Sequence, residues 1–178
     1  IPLWLVCPSV VAGNTVVLKP SRETACTAYK IAEYAHKAGF PPGVINVVQG
    51  GCGDYLVKHP DVHVVLFVGS NDVGSGIKHI VAEFHDKMCA CEKKKKNAVI
   101  VLDDANEDIA VNAAIISAFK TSGQRCTSAS RLIVHEKVLR VFEKKFIELT
   151  KRIKLGNPLD ETVFMGPVIN QAATEKIA

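Results

Sequence analysis

No apolar run in this sequence approaches the ~18 residues that a membrane-spanning helix needs. The opening IPLWLVCPS lacks a basic n-region and a small-residue cleavage site, so no secretory signal is expected. There is no internal repeat, and no low-complexity segment apart from the lysine run 93–96. The six histidines (His36, His59, His63, His79, His85, His135) show no ligand spacing tied to a carboxylate or cysteine cluster, so no metal is expected. A broad basic face is missing too. Net charge is +4, and the four lysines Lys93 to Lys96 account for that many charges alone. Elsewhere the signs are mixed, which argues against nucleic acid as a partner.

The chain does have apolar content: 48% hydrophobic residues and a mean hydropathy of +0.16. That suffices for a large core and leaves some surface to pack on something else. At 178 residues the chain is long enough for one domain or parts of two. The six cysteines (Cys7, Cys26, Cys52, Cys89, Cys91, Cys126) are scattered, and are expected to be reduced thiols in a cytoplasm-like compartment. Cys89-Ala90-Cys91 offers a weak metal signal, but strand alternation puts both thiols on one face, where packing is the commoner role.

Short apolar strands alternate with helical segments. Strands are expected over 14–20, 43–50, 62–70, 88–92, 98–102 and 130–135. Helices are expected over 23–39, with Ala28, Ile31, Ala32 and Ala35 on one face, over 55–58, from the Gly/Ser loop to about His85, and over 106–123. A final helix places Leu139, Phe142, Phe146, Leu149 and Ile153 at helical spacing. This alternation argues for an α/β fold with largely parallel sheets. The composition breaks at the lysine run, so a boundary is expected near Lys94.

Four stretches carry candidate chemistry. In SGQRCTSASR (122–131) a cysteine follows a helix end in a loop of small residues, with Arg125 adding positive charge. A nucleophilic thiolate needs that access and those donors; the blander role for Cys126 is a small buried filler. Glu92 stands 34 positions earlier, at a strand end. A carboxylate near a cysteine can deprotonate it or activate water against a thioester; by itself it reads as a solvated partner of lysines. In FVGSNDVGSG (67–76) a buried strand opens into Gly69, Ser70 and Gly74 before a helix, a phosphate-binding arrangement without the G-x-G-x-x-G fingerprint. In LKPSRE (18–23) a strand ends at Lys19-Pro20, where Lys19 and Ser21 can hydrogen-bond a ribose.

Together, AGNTVVLKPS, GFPPGVINVV, FVGS, a glutamate followed by Lys96-Asn97, GQRC and GNPLD…MGP stand in the order and at the spacing of the NAD(P)-dependent aldehyde dehydrogenases, which the whole chain resembles. The resemblance implies parts of two Rossmann-like three-layer parallel-sheet domains: 1–94 as the second half of an NAD(P)-binding domain and 95–178 as the first part of a catalytic domain. It implies Cys126 as nucleophile, Glu92 as general base, and Lys19, Ser21, Gly69 and Ser70 on the cofactor. Arg22 departs from the glutamate of many NAD-preferring members and suits a 2′-phosphate, so NADP is expected to be tolerated. The implied reaction oxidises an aldehyde or semialdehyde to its acid, in a homo-oligomer (dimer or tetramer). The branch that passes the acyl group to coenzyme A is an alternative, and so is an inactive homologue with a binding or structural role. The oxyanion-hole asparagine of the family would stand about five residues before Ile1, so the chain reads as a middle segment.

The lysine run departs from the Leu-Gly-Gly-Lys of the family, and only Lys96 fits. Lysines at 93–95 are expected to draw the segment toward water and to weaken Glu92 as a base. Four lysines also have the form of a basic localisation signal, but flanking strands would bury its ends.

Overall fold

The computed structural model describes residues 1–93 and 97–177. Lys94, Lys95 and Lys96 of the lysine run lie outside the described residues, as does Ala178. The chain divides into two compact units, Ile1–Lys94 and Lys95–Ala178.

In the first unit the order is α1 (Pro2–Val11), β1 (Val16–Leu18), α2 (Ala25–Lys37), β2 (Ile45–Val47), α3 (Gly53–Lys58), β3 (Val64–Gly69), α4 (Asn71–Val81) and β4 (Met88–Lys93). β1 pairs in parallel with β2, and β3 with β4. A helix between each pair provides the crossover that parallel strands require. β1 is shorter than the expected 14–20 because it runs into Pro20, which has no N–H for a ladder. α2 stops at Lys37, before Gly39, whose φ of 84° is left-handed. α4 ends at Val81, four residues short of His85, in turns from Ile80 O to Glu83 N and from Val81 O to Phe84 N. The buried Lys87 donates to the carbonyls of His59 and Val62, in the turn before β3, with its ammonium over the Phe84 ring. α1 was not foreseen; Pro2 opens it, and Pro8 inside it disguises the pattern.

In β4 the residues alternate between exposed and half-buried. Cys89 and Cys91 therefore share one face, packed against Val57, Ile77 and Val81. Lys93 lies on that same face; Glu92 lies on the other, exposed one.

The second unit runs β5 (Asn97–Val101), α5 (Glu107–Phe119), β6 (Ala129–Val134), α6 (Glu136–Lys151) and α7 (Gln171–Ile177). β5 and β6 are parallel. Asn106 caps α5 by accepting from Ile109 N at 3.1 Å. The core joins Val101, Val111, Ala114, Ile115 and Phe142. The buried stripe of α6 begins at Val138, with Phe142, Phe146, Leu149 and then Ile153 packing on this core. The expectation for Leu139 fails: it is 44% exposed, one residue around the helix from the stripe. α6 is also not the final helix. Beyond it, Leu155 bridges Met165, and α7 follows.

Both units are thus α/β with parallel strand pairs. Among the described residues no helix is long and apolar enough to cross a membrane.

Candidate active site

The first unit presents its candidate groups at the C-terminal ends of β1 and β3, the edge where open parallel sheets hold ligands. After β1, Ser21 caps a short 3-10 turn, Arg22–Thr24, by accepting from Glu23 N at 3.3 Å. That is a structural use of a side chain expected on a ribose. Lys19 Nζ donates to Pro20 O at 3.0 Å, and its stem passes 3.9 Å from where a Cβ on Gly53 would stand. The Arg22 guanidinium lies over Gly51, where an added Cβ would meet Nη2 at 3.1 Å. Lys19 and Arg22 therefore converge on the glycine-rich loop 50–53. The Gly50-Gly51-Cys52-Gly53 cluster was the signal for this partner, and sequence reasoning passed over it.

After β3, a Cβ on Gly69 would sit 2.5 Å from the Phe67 ring, so any side chain there would require the ring to move. Ser70 caps α4, its Oγ accepting from Val73 N at 3.4 Å, and remains exposed. The first turn of α4 thus has a free face at the end of a buried strand, with the positive end of the helix behind it.

Lys93 corrects, at its own position, the expectation that the lysines draw this segment toward water. It stands opposite Gly69 in the ladder and is half-buried. Its stem covers Gly74, where a Cβ would meet Lys93 Cε at 3.2 Å, and its Nζ donates to Ser75 Oγ at 2.8 Å. A long aliphatic stem can satisfy an apolar site while its charged tip finds a hydroxyl. Glu92, beside it in sequence, points to the opposite side of the sheet. Glu92 belongs to the first unit and Cys126 to the second.

In the second unit α5 gives way to a 3-10 turn, Lys120–Gly123, in which Thr121, Ser122 and Gly123 have φ of 58°, 56° and 63°. Left-handed non-glycine residues cost of order 1–3 kcal/mol each and persist only when neighbours hold them. Here Ser122 Oγ lies 2.9 Å from Gly166 O and 3.0 Å from Pro167 O, and Gln124 Oε1 accepts from Ile169 N at 3.1 Å. The chain then turns tightly: Ser128 N donates to Arg125 O, and Arg125 N to Ser128 Oγ. Cys126 sits inside that turn, half-buried. Asn97 Nδ2 holds the turn from β5, at 2.5 Å from Cys126 O and 3.2 Å from Ser128 O. A cysteine in a braced turn of small residues is suited to nucleophilic attack on an electrophilic carbon. Asn97 was read only as part of a motif; nothing in its sequence position announces these two contacts.

All six cysteines are free thiols. Among the described residues no group of three or more His, Cys, Asp or Glu side chains could hold a metal ion.

The aldehyde dehydrogenase family matches the chain over residues 1–178. A 1-pyrroline-5-carboxylate dehydrogenase of Staphylococcus epidermidis is 44% identical over 176 residues, covering 94% of this chain and 34% of the relative. Among solved structures, a gamma-glutamyl-gamma-aminobutyraldehyde dehydrogenase of Burkholderia cenocepacia superposes with a TM-score of 0.93 at 37% identity, over 98% of this chain and 36% of that one. An NADP-dependent enzyme of E. coli gives a TM-score of 0.93 at 36% identity, over 97% and 36%. The chain spans about a third of the length of the curated relatives it matches.

Proposed function

From a chain that belongs to the aldehyde dehydrogenase family, we propose an enzyme that oxidises an aldehyde or semialdehyde to the carboxylic acid with NAD or NADP. The observation that carries this is the Cys126 turn, braced by Asn97, Ser122 and Gln124, in a chain matched to the family along its whole length. The Cys126 thiolate adds to the carbonyl carbon, giving a thiohemiacetal. NAD or NADP, held by Lys19, Arg22, Gly69 and Ser70, would supply the hydride acceptor for this carbon, and Cys126 would hold the acyl group as a thioester. Glu92 takes a proton from water, the resulting hydroxide attacks the thioester, and the acid departs as the thiolate is restored. Its presence favours hydrolysis over transfer to coenzyme A. The relatives' names support a semialdehyde as substrate class.

The first unit fits the cofactor as its binding half, and the second carries the nucleophile. Gly69 and the exposed hydroxyl of Ser70 offer the close approach and the donor that a pyrophosphate needs. Lys19 and Arg22, over the glycine loop, suit a ribose and its 2′ substituent. Arg22 in particular supports use of NADP, alongside the NADP-dependent structural neighbour. Six free thiols support a reducing, cytoplasmic setting. Exposed apolar side chains, among them Ile100, Ile116 and Ile133, support burial in a homo-oligomer or against further protein.

The test is a rapid burst of NAD(P)H fluorescence on adding aldehyde to enzyme and cofactor. It is expected with the native sequence and absent in Cys126→Ala. A burst that survives that substitution refutes the assignment.

A further inference from the structure

We infer that Asn97 is a positioning residue for the nucleophile: its single carboxamide draws the Cys126 and Ser128 carbonyls onto β5 and so keeps acceptor oxygens away from the sulfur. The inference rests on the reading of Cys126 as nucleophile, and deepens it.

Both hydrogens of a carboxamide nitrogen can donate at once. Asn97 Nδ2 has two acceptors, Cys126 O at 2.5 Å and Ser128 O at 3.2 Å, and they flank Thr127 in one turn. One side chain thus fixes both ends of the loop that carries the thiol. β6 bulges opposite the place where Asn97 stands. Asn97 pairs with Ala129 but Ala98 pairs with Arg131, so Ser130 is an extra residue, its Oγ 3.5 Å from Asn97 O. Such bulges re-aim a neighbouring side chain. Along β5, Asn97, Val99 and Val101 occupy the less exposed positions, and Val99 and Val101 pack in the core. Asn97 therefore ends a core-facing row, where packing restricts its motion.

The electrostatic consequence follows from the dipoles. A thiolate is stabilised by N–H groups and disfavoured by carbonyl oxygens pointing at it. Two of the loop's carbonyls are committed to Asn97. Without its donors they are free to turn toward the sulfur, where their oxygens would disfavour negative charge.

Alkylation of Cys126 by iodoacetamide, followed by peptide mass mapping from pH 6 to pH 10, tests this directly. The variants are Asn97→Leu, neutral and of similar shape, and Asn97→Ser, which keeps one donor; exposed Cys26 in the other unit is the internal reference. In Asn97→Leu the alkylation profile is expected to move alkaline by about half a pH unit or more, a rate loss of about threefold near neutrality. Asn97→Ser is expected to fall between, and Cys26 to react as before. A native profile at Cys126 in both variants overturns the inference. If leucine disturbs the fold of the second unit, seen as a lowered urea midpoint, the serine variant decides alone by the same criterion. A Cys126→Ala protein that keeps its NAD(P)H burst would remove the nucleophile assignment instead, and would leave the alkylation profiles readable by themselves.

Discussion

The ammonium of Lys93 lies 2.8 Å from Ser75 Oγ, on the face of β4 opposite to Glu92. One side chain of the lysine run is thereby built into the first unit rather than shed from it. Its carbons occupy the space above Gly74, and its charge rests on a hydroxyl of α4.

That packing makes Lys93 and Gly74 energetically dependent on each other. Lys93→Leu keeps the apolar stem and loses one hydrogen bond, so stability should change by no more than about 1 kcal/mol. Gly74→Ala puts a methyl 3.2 Å from both Lys93 Cε and the Phe67 ring, and this crowding should offset the gain of about 1 kcal/mol that alanine otherwise brings inside a helix. In a double-mutant cycle by urea denaturation, Lys93→Ala should relieve part of that crowding, with a coupling of at least about 0.5 kcal/mol. Strict additivity would mean the stem does not rest on Gly74.

Glu92→Gln should separate acylation from turnover. Glutamine matches the shape but cannot take a proton from water. The NAD(P)H burst should remain, while steady-state turnover falls about 10²–10⁴-fold. Product analysis supplies the contrasting outcome: product formed only when coenzyme A is added, and as the acyl-coenzyme A thioester, would refute hydrolysis as the native fate of the enzyme thioester.

Arg22 faces the loop 50–53 with its guanidinium over Gly51. Arg22→Glu should lower kcat/KM for NADP relative to NAD by about tenfold or more, since a carboxylate repels a 2′-phosphate that an arginine would bind. In the native sequence, an NAD preference above about tenfold would refute the role given to Arg22.

Cys91 should make the first unit alkali-sensitive. Burial raises its thiol above the usual value of 9.0, with Cys89 beside it acting in the same direction and Lys78 and Lys93 opposing. A raised folded-state value means that the neutral thiol is the form the fold accepts. The stability contribution is complete below the unfolded value and is lost as pH rises through the folded one. Urea midpoints should therefore decline more steeply above pH 9 in the native chain than in Cys91→Val. Parallel curves for the two proteins would refute the linkage.

Local sequence determined much of this protein. Alternation of short β-branched runs with helical periods gave parallel α/β pairs, because each strand pair must enclose a crossover. Gly39 ended α2, Asn106 started α5, and Cys126 stood in a turn of small residues, all through preferences of single residues. Ordered motifs identified the family without any contact being known. Other features depended on partners far along the chain. Leu139 and Val138 are both apolar neighbours on α6, and only the position of the core chose Val138. Ser122 holds a left-handed backbone because carbonyls 44 and 45 residues away accept its hydroxyl. Asn97 reaches the Cys126 loop across 29 residues, from beside a bulge that no local pattern signals. Lys93, whose sequence context suggested solvent, went inward because a glycine turn left space for its stem and a serine received its charge. Propensity acts between neighbours in sequence; these four placements were decided by long-range packing and hydrogen bonding, which exist only once the strands are paired.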